Sequence, residues 1–191
     1  MAKFSFSNRQ AGFSLLEVTI ATGIMAGALV SLGQMFAISV TNNRSARSLS
    51  YTTVLAEQKM EQLRGLTWGF DNLGLPVSDT TTNTAAPVET PTGGTGLRFS
   101  PAGTMTKAVD GWVDYVDQFG NIKGGGTTPP AGTVYIRRWA IEPLPTNPNN
   151  TLIIHVLVTK RLDRGSADQD GSTVRLADES RLVSVKTRKA Q

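Results

Sequence analysis

Cysteine is missing from the 191-residue chain, and histidine occurs once, as His155. Without cysteine there are no disulfides, no thiol nucleophile and no thiolate metal site, so a folded head must be held by packing alone. A single histidine disfavours histidine-based acid–base catalysis and a zinc site. The composition therefore tilts against an enzyme. A strong charge excess is missing too. Lys and Arg total 19 against 15 Asp and Glu, and a net +4 does not by itself argue for nucleic acid. The sharpest shortage is local. From Phe13 to Val40, 28 residues contain one charged side chain, Glu17, and no proline.

A run that long and apolar reads as a membrane-spanning helix. Glu17 is its anomaly. A carboxylate inside a spanning helix costs on the order of 2.5 kcal/mol or more, so it calls for a partner and a task. Gly23-Ile24-Met25-Ala26-Gly27 has the small-xxx-small spacing that lets helix backbones approach closely in lipid. The general frequency of glycine in membrane helices is the alternative reading. Gly23, Gly27 and Gly33 also weaken the helix by up to about 1 kcal/mol each relative to alanine, and any kink must arise from them. A polar leader, residues 1–12, carries Lys3 and Arg9 and ends in Ala11-Gly12. An ordinary secretory signal cut after Ala37-Ile38-Ser39 is the competing reading. Its apolar region normally spans about 7–15 residues, far fewer than here. In both readings the basic side stays cytoplasmic.

The segment Gly12-Phe13-Ser14-Leu15-Leu16-Glu17-Val18 resembles the class III signal of type IV pilins and pseudopilins. The resemblance covers roughly residues 7–64. It implies cleavage after Gly12 by a prepilin peptidase, with methylation of the new N-terminal Phe13. It places Glu17 fifth after the cut, where the family keeps its glutamate for assembly: the cationic amine of one subunit would pair with Glu17 of a neighbour. Loss of Lys3 and Arg9 with the leader lowers the net charge from +4 to +2. The run Ala56-Glu57-Gln58-Lys59-Met60-Glu61-Gln62-Leu63-Arg64 is similar to the helix end of PilV-like minor pilins and of I-type pseudopilins.

The helix is expected to continue to Arg64, with Gly65 as its C-cap. Leu49, Thr53, Ala56, Met60 and Leu63 form an apolar stripe, while Arg44, Arg47, Glu57, Lys59, Glu61 and Arg64 fall on other faces. The domain reading is a leader (1–12), a long helix (13–64) with a transmembrane half (13–40), and a head (65–191). Threonine, proline and glycine make 65–108 a variable loop. Strands are expected at Trp112–Val116, Thr133–Ile141, Thr151–Arg161, Ser172–Ala177 and Leu182–Thr187, with the third central. A long helix, a loop and then antiparallel strands is an α+β layout, and it is the pilin order.

Asp163, Asp168 and Asp170 with Gly171 could offer oxygen ligands to calcium, yet they lack the full loop pattern and its distal glutamate, so a hairpin turn is the reading. Asp110, Asp114 and Asp117 are read as turn residues too, and no metal or other cofactor is expected. Arg137-Arg138-Trp139 could meet DNA phosphates and bases. The reading adopted is a strand with exposed arginines, without DNA as a partner. His155 is read as a satisfied strand histidine, and Lys186, Arg188 and Lys189 as a solvated tail. Asn149-Asn150-Thr151 is a glycosylation sequon by pattern only.

The sequence reading is therefore a minor pilin, a non-enzymatic subunit of a type IV pilus. Its implied partners are the prepilin peptidase, other pilin subunits met through the N-terminal helix, and the inner membrane before assembly. The head would face the periplasm. An I-type pseudopilin of a type II secretion system is the alternative. A membrane-anchored exported binding domain or enzyme is the alternative from another class.

Overall fold

The computed structural model describes residues 12–85, 94–161, 176 and 178–188. The chain divides into two compact units between Arg44 and Ser45. One α-helix, α1 (Leu15–Gly65), contributes to both. Every residue from Gly12 to Arg47 is exposed. The second unit contains the end of α1, a hairpin of β1 (Trp68–Phe70) and β2 (Pro76–Ser78), and a five-stranded antiparallel sheet. Its strands are β3 (Val113–Val116), β4 (Ile122–Gly124), β5 (Tyr135–Pro143), β6 (Thr151–Lys160) and β7 (Ser180–Thr187), in the order β4-β3-β5-β6-β7.

This is the α+β layout expected from the sequence. The β5 and β6 strands are the longest apolar runs, pair over their full length, and both lie inside the sheet, with β5 at its centre. On one sheet face Trp139, Ile141, Leu152, Ile154, Val156 and Val158 pack against Leu55, Ala56, Met60 and Leu63 of α1. Val113, Tyr115 and Ile136 form a smaller cluster with Ala108. Each fully buried Ile, Leu or Val side chain contributes roughly 1.5–3 kcal/mol.

Three expectations are corrected. The segment 65–108 is not irregular throughout, because β1 and β2 lie in it. Ile122–Gly124, where no strand was expected, pairs with β3. The buried stripe of α1 is Thr52, Leu55, Ala56, Lys59, Met60 and Leu63, while Leu49 is exposed. The acidic turn around Asp163, Asp168, Asp170 and Gly171 lies outside the described residues. So does all of the strand expected at Ser172–Ala177 except Leu176, which is not in a strand.

The two hairpins share one turn design. In Asp71-Asn72-Leu73-Gly74-Leu75, Asp71 Oδ1 accepts from the amides of Leu73 at 2.9 Å and Leu75 at 2.8 Å. In Asp117-Gln118-Phe119-Gly120-Asn121, Asp117 Oδ1 accepts from Phe119 at 2.8 Å and Asn121 at 2.9 Å. The fourth residue is glycine in both, at φ 73° and 88°, where any other side chain is strained. Asp117 and Asp110 are thus turn residues, as expected.

Asp114 is not a turn residue. It lies in β3 with no exposure and joins two cations. Lys59 Nζ stands 2.8 Å from its Oδ2, and Arg137 donates to the same oxygen from Nη2 at 2.8 Å and Nε at 3.1 Å. Lys59 is 1% exposed and Arg137 2%, so Lys59 lies on the buried face rather than off the stripe, and Arg137 is not the exposed arginine expected. Further donors are placed with care. Lys59 donates to the Thr84 carbonyl and sits 4.0 Å from the Trp139 ring centroid. Arg137 Nη1 donates to the Leu55 carbonyl and Gln58 Oε1, each at 3.2 Å. Burial lowers the Lys59 pKa from 10.5 to about 8 against the opposing pull of Asp114, and Arg137 adds to the drop.

The C-terminal cations are not a solvated tail either. Lys186 donates to the carbonyls of Arg64 and Leu66, closing the end of α1. Arg188 stacks 3.7 Å from the Trp68 ring centroid and donates to Gly69, Val77 and Asn149 carbonyls and to Ser78 Oγ. Lys189 lies outside the described residues.

Asp114→Ala leaves two buried cations facing each other and is expected to cost about 3–5 kcal/mol in chemical denaturation. Lys59→Met leaves one cation on one carboxylate and should cost clearly less. A larger loss for Lys59→Met would contradict this account. Between pH 8 and 10.5 the unfolded chain holds the Lys59 proton more tightly than the folded one, so stability rises with pH. Wild type should gain up to about 3 kcal/mol on Lys59→Met across that window.

Candidate functional site

The residues singled out by the sequence lie along one surface, the N-terminal half of α1. Gly12 and Phe13 precede the helix, and both are exposed. Ser14 is the N-cap: its Oγ accepts from the Glu17 amide at 3.2 Å, and its carbonyl accepts from Val18 at 3.2 Å. Ser14-x-x-Glu17 is the spacing of a capping box, a signal the sequence carries and the reading above did not use. Glu17 stands in the first turn, where the helix dipole favours a carboxylate. Among the described residues no cation pairs with Glu17.

Four hydroxyls of this half-helix bond back to its own backbone. Thr19 and Thr22 donate to the carbonyls of Leu15 and Val18 at 2.8 and 2.9 Å. Ser31 and Thr41 do the same to Gly27 and Ala37, both at 2.9 Å. A hydroxyl that bonds back one turn carries no unmet donor into hydrocarbon. The helix is long and apolar enough to cross a membrane, and among the described residues nothing buries its most apolar window. Apolar side chains such as Leu15, Leu16, Ile24 and Phe36 are bare.

Gly23 and Gly27 sit one turn apart on the same helix face. A Cβ built on either meets nothing within 4 Å, and neither has a positive φ. Among the described residues, nothing packs closely enough to require glycine at either position.

The other candidates do not gather into a catalytic constellation. Arg137, Arg138 and Trp139 are buried in β5, which corrects the reading of exposed arginines and withholds them from a nucleic acid. Arg138 donates to the Thr106 carbonyl at 3.2 Å. His155 is half-buried on β6, and among the described residues its Nδ1 has no hydrogen-bond partner, unlike the satisfied histidine expected. Burial lowers its pKa. Among the described residues no three His, Asp or Glu side chains are grouped to hold a metal ion. Compared with known protein families, with curated proteins and with solved structures, the chain finds no match.

Gly23→Ala and Gly27→Ala should each stabilise the isolated helix by up to about 1 kcal/mol, seen as slower amide exchange between Ile20 and Val30 in lipid nanodiscs. Unchanged or faster exchange would mean that these glycines already make contacts in the isolated subunit.

Proposed function

We propose that the chain is a minor pilin, cleaved between Gly12 and Phe13 and drawn from the membrane into a type IV pilus through the N-terminal half of α1. One observation carries the reading. The apolar run of a helix long enough to span a membrane carries one carboxylate, Glu17, in the first turn, with no ion-pair partner among the described residues. The amine created at Phe13 by cleavage would be a cation at the same end of a neighbouring helix. Pairing the two satisfies both charges in a medium where an unpaired ion is most expensive. The bare apolar surface supports the same reading, since it needs lipid first and other helices later. The α+β head that follows is the layout such subunits have. The protein performs no chemistry in this reading.

Two measurements test it. The N-terminus of the membrane-extracted protein should be Phe13, with the mass of a methyl group added. A start at Val40 would indicate an ordinary secretory signal and overturn the proposal. Glu17→Gln should leave insertion and cleavage intact, because the apolar run loses a costly charge. Its share in sheared filaments, relative to the membrane pool, should fall by about tenfold or more, the equivalent of one lost charge-assisted bond. Equal incorporation would make Glu17 a bystander.

A further inference from the structure

We propose that a cleft on the second unit binds an acidic saccharide, a pyranose ring bearing a carboxylate. The cleft has a volume of about 330 Å³ and lies where the β1–β2 hairpin, the loop at Phe99 and the β5–β6 turn meet the end of β7. Its lining combines Trp68, Phe70 and Phe99 with Asn149, Asn150 and Arg188. This inference does not rest on the filament reading, and either can fail without the other.

Three observations define the ligand. The first is aromatic surface left open. Phe99 is 56% exposed, and Phe70 is also accessible beside it. Flat aromatic faces beside polar groups match the apolar C–H face of a sugar ring, which stacks there while its hydroxyls point to hydrogen-bonding groups. The second is the charge state of Arg188. It spends four donor contacts on three carbonyls and one hydroxyl, all neutral. None of the ion pairs among the described residues involves it. Its guanidinium is thus held rigid against Trp68, with its charge uncancelled and one of five N–H donors left over. A fixed cation of this kind attracts a carboxylate without reorganising. The third is the pair Asn149 and Asn150, whose exposed amides can both donate to and accept from hydroxyls. A bare anion would leave the aromatic walls unused, and a neutral sugar would leave Arg188 uncompensated.

The test uses the full chain in phosphatidylcholine nanodiscs, titrated calorimetrically with a galacturonate tetramer and a hyaluronan tetramer. At least one should bind saturably. For the tetramer that binds, its methyl ester, which keeps the rings and removes the charge, should bind about tenfold more weakly or worse, as should Phe99→Ala against the acid form. Asn150→Asp, which adds a like charge, should weaken binding similarly. Phe99 and Asn150 are exposed, so the melting temperatures of these variants should match wild type; a variant that melts early is replaced by Asn149→Ala, with the same expectation. Absence of binding by both tetramers overturns the proposal, as does equal affinity for acid and ester. Binding of inorganic phosphate as tight as that of the tetramer would reduce the site to an anion site and also overturn it.

Discussion

The second unit depends on one carboxylate shared by two cations. Asp114 brings β3, β5 and α1 to a common point, and Lys59 extends the link to the loop at Thr84. An apolar stripe on a helix tolerates rotation by part of a turn or a slide along a sheet, because leucine and methionine pack almost equally well in several places. A buried ion cluster does not, since any shift strands a charge in a low-dielectric interior. Hydrophobic burial provides most of the driving force here, and the Lys59–Asp114–Arg137 cluster selects a single register from the arrangements that burial alone would allow. Trp139 fits the same logic: it fills the core beside Lys59 and presents its π face to the ammonium.

How far the sequence disclosed this depended on the range of the interaction. Strands β3, β5, β6 and β7 were legible because alternation and β-branched runs are local signals. The turn at Asp117 was legible for the same reason. Its twin at Asp71 went unread, although the residues carry the same spacing, because threonine, proline and glycine beyond it gave the whole stretch a loop-like composition. The cations were misread for a different reason. Lysine and arginine are exposed by default, and nothing near Lys59 or Arg137 in the chain announces Asp114, which is 55 residues from one and 23 from the other. The same holds for Lys186 and Arg188, all but one of whose carbonyl partners lie more than a hundred residues earlier. In the N-terminal half the signal was composition, and the positions of Glu17, Gly23 and Gly27 could be read directly. What they contact could not: the described residues offer no ion pair to Glu17 and nothing within 4 Å of a Cβ at Gly23 or Gly27.

The two units solve the problem of polar groups in opposite ways. In the second, charges are buried and matched across distant elements. In the first, four hydroxyls fold back onto their own helix, and one carboxylate is left without an ion pair among the described residues. The first pattern ties distant elements of one unit to each other. The second makes a surface whose energetics are settled only by what surrounds it.

The Lys186 contact also imposes an order in time. The helix end at Arg64 and Leu66 receives its donor from a residue synthesised some 120 positions later. While the chain emerges from the ribosome, the apolar half of α1 is available to a membrane long before its other end can be closed. Arg188, which fastens the first hairpin, arrives later still. At translation rates of about 5–20 residues per second, that interval is on the order of ten seconds. A chain cut short before β7 therefore keeps the apolar half of α1 yet lacks the strand that leads to Lys186 and Arg188.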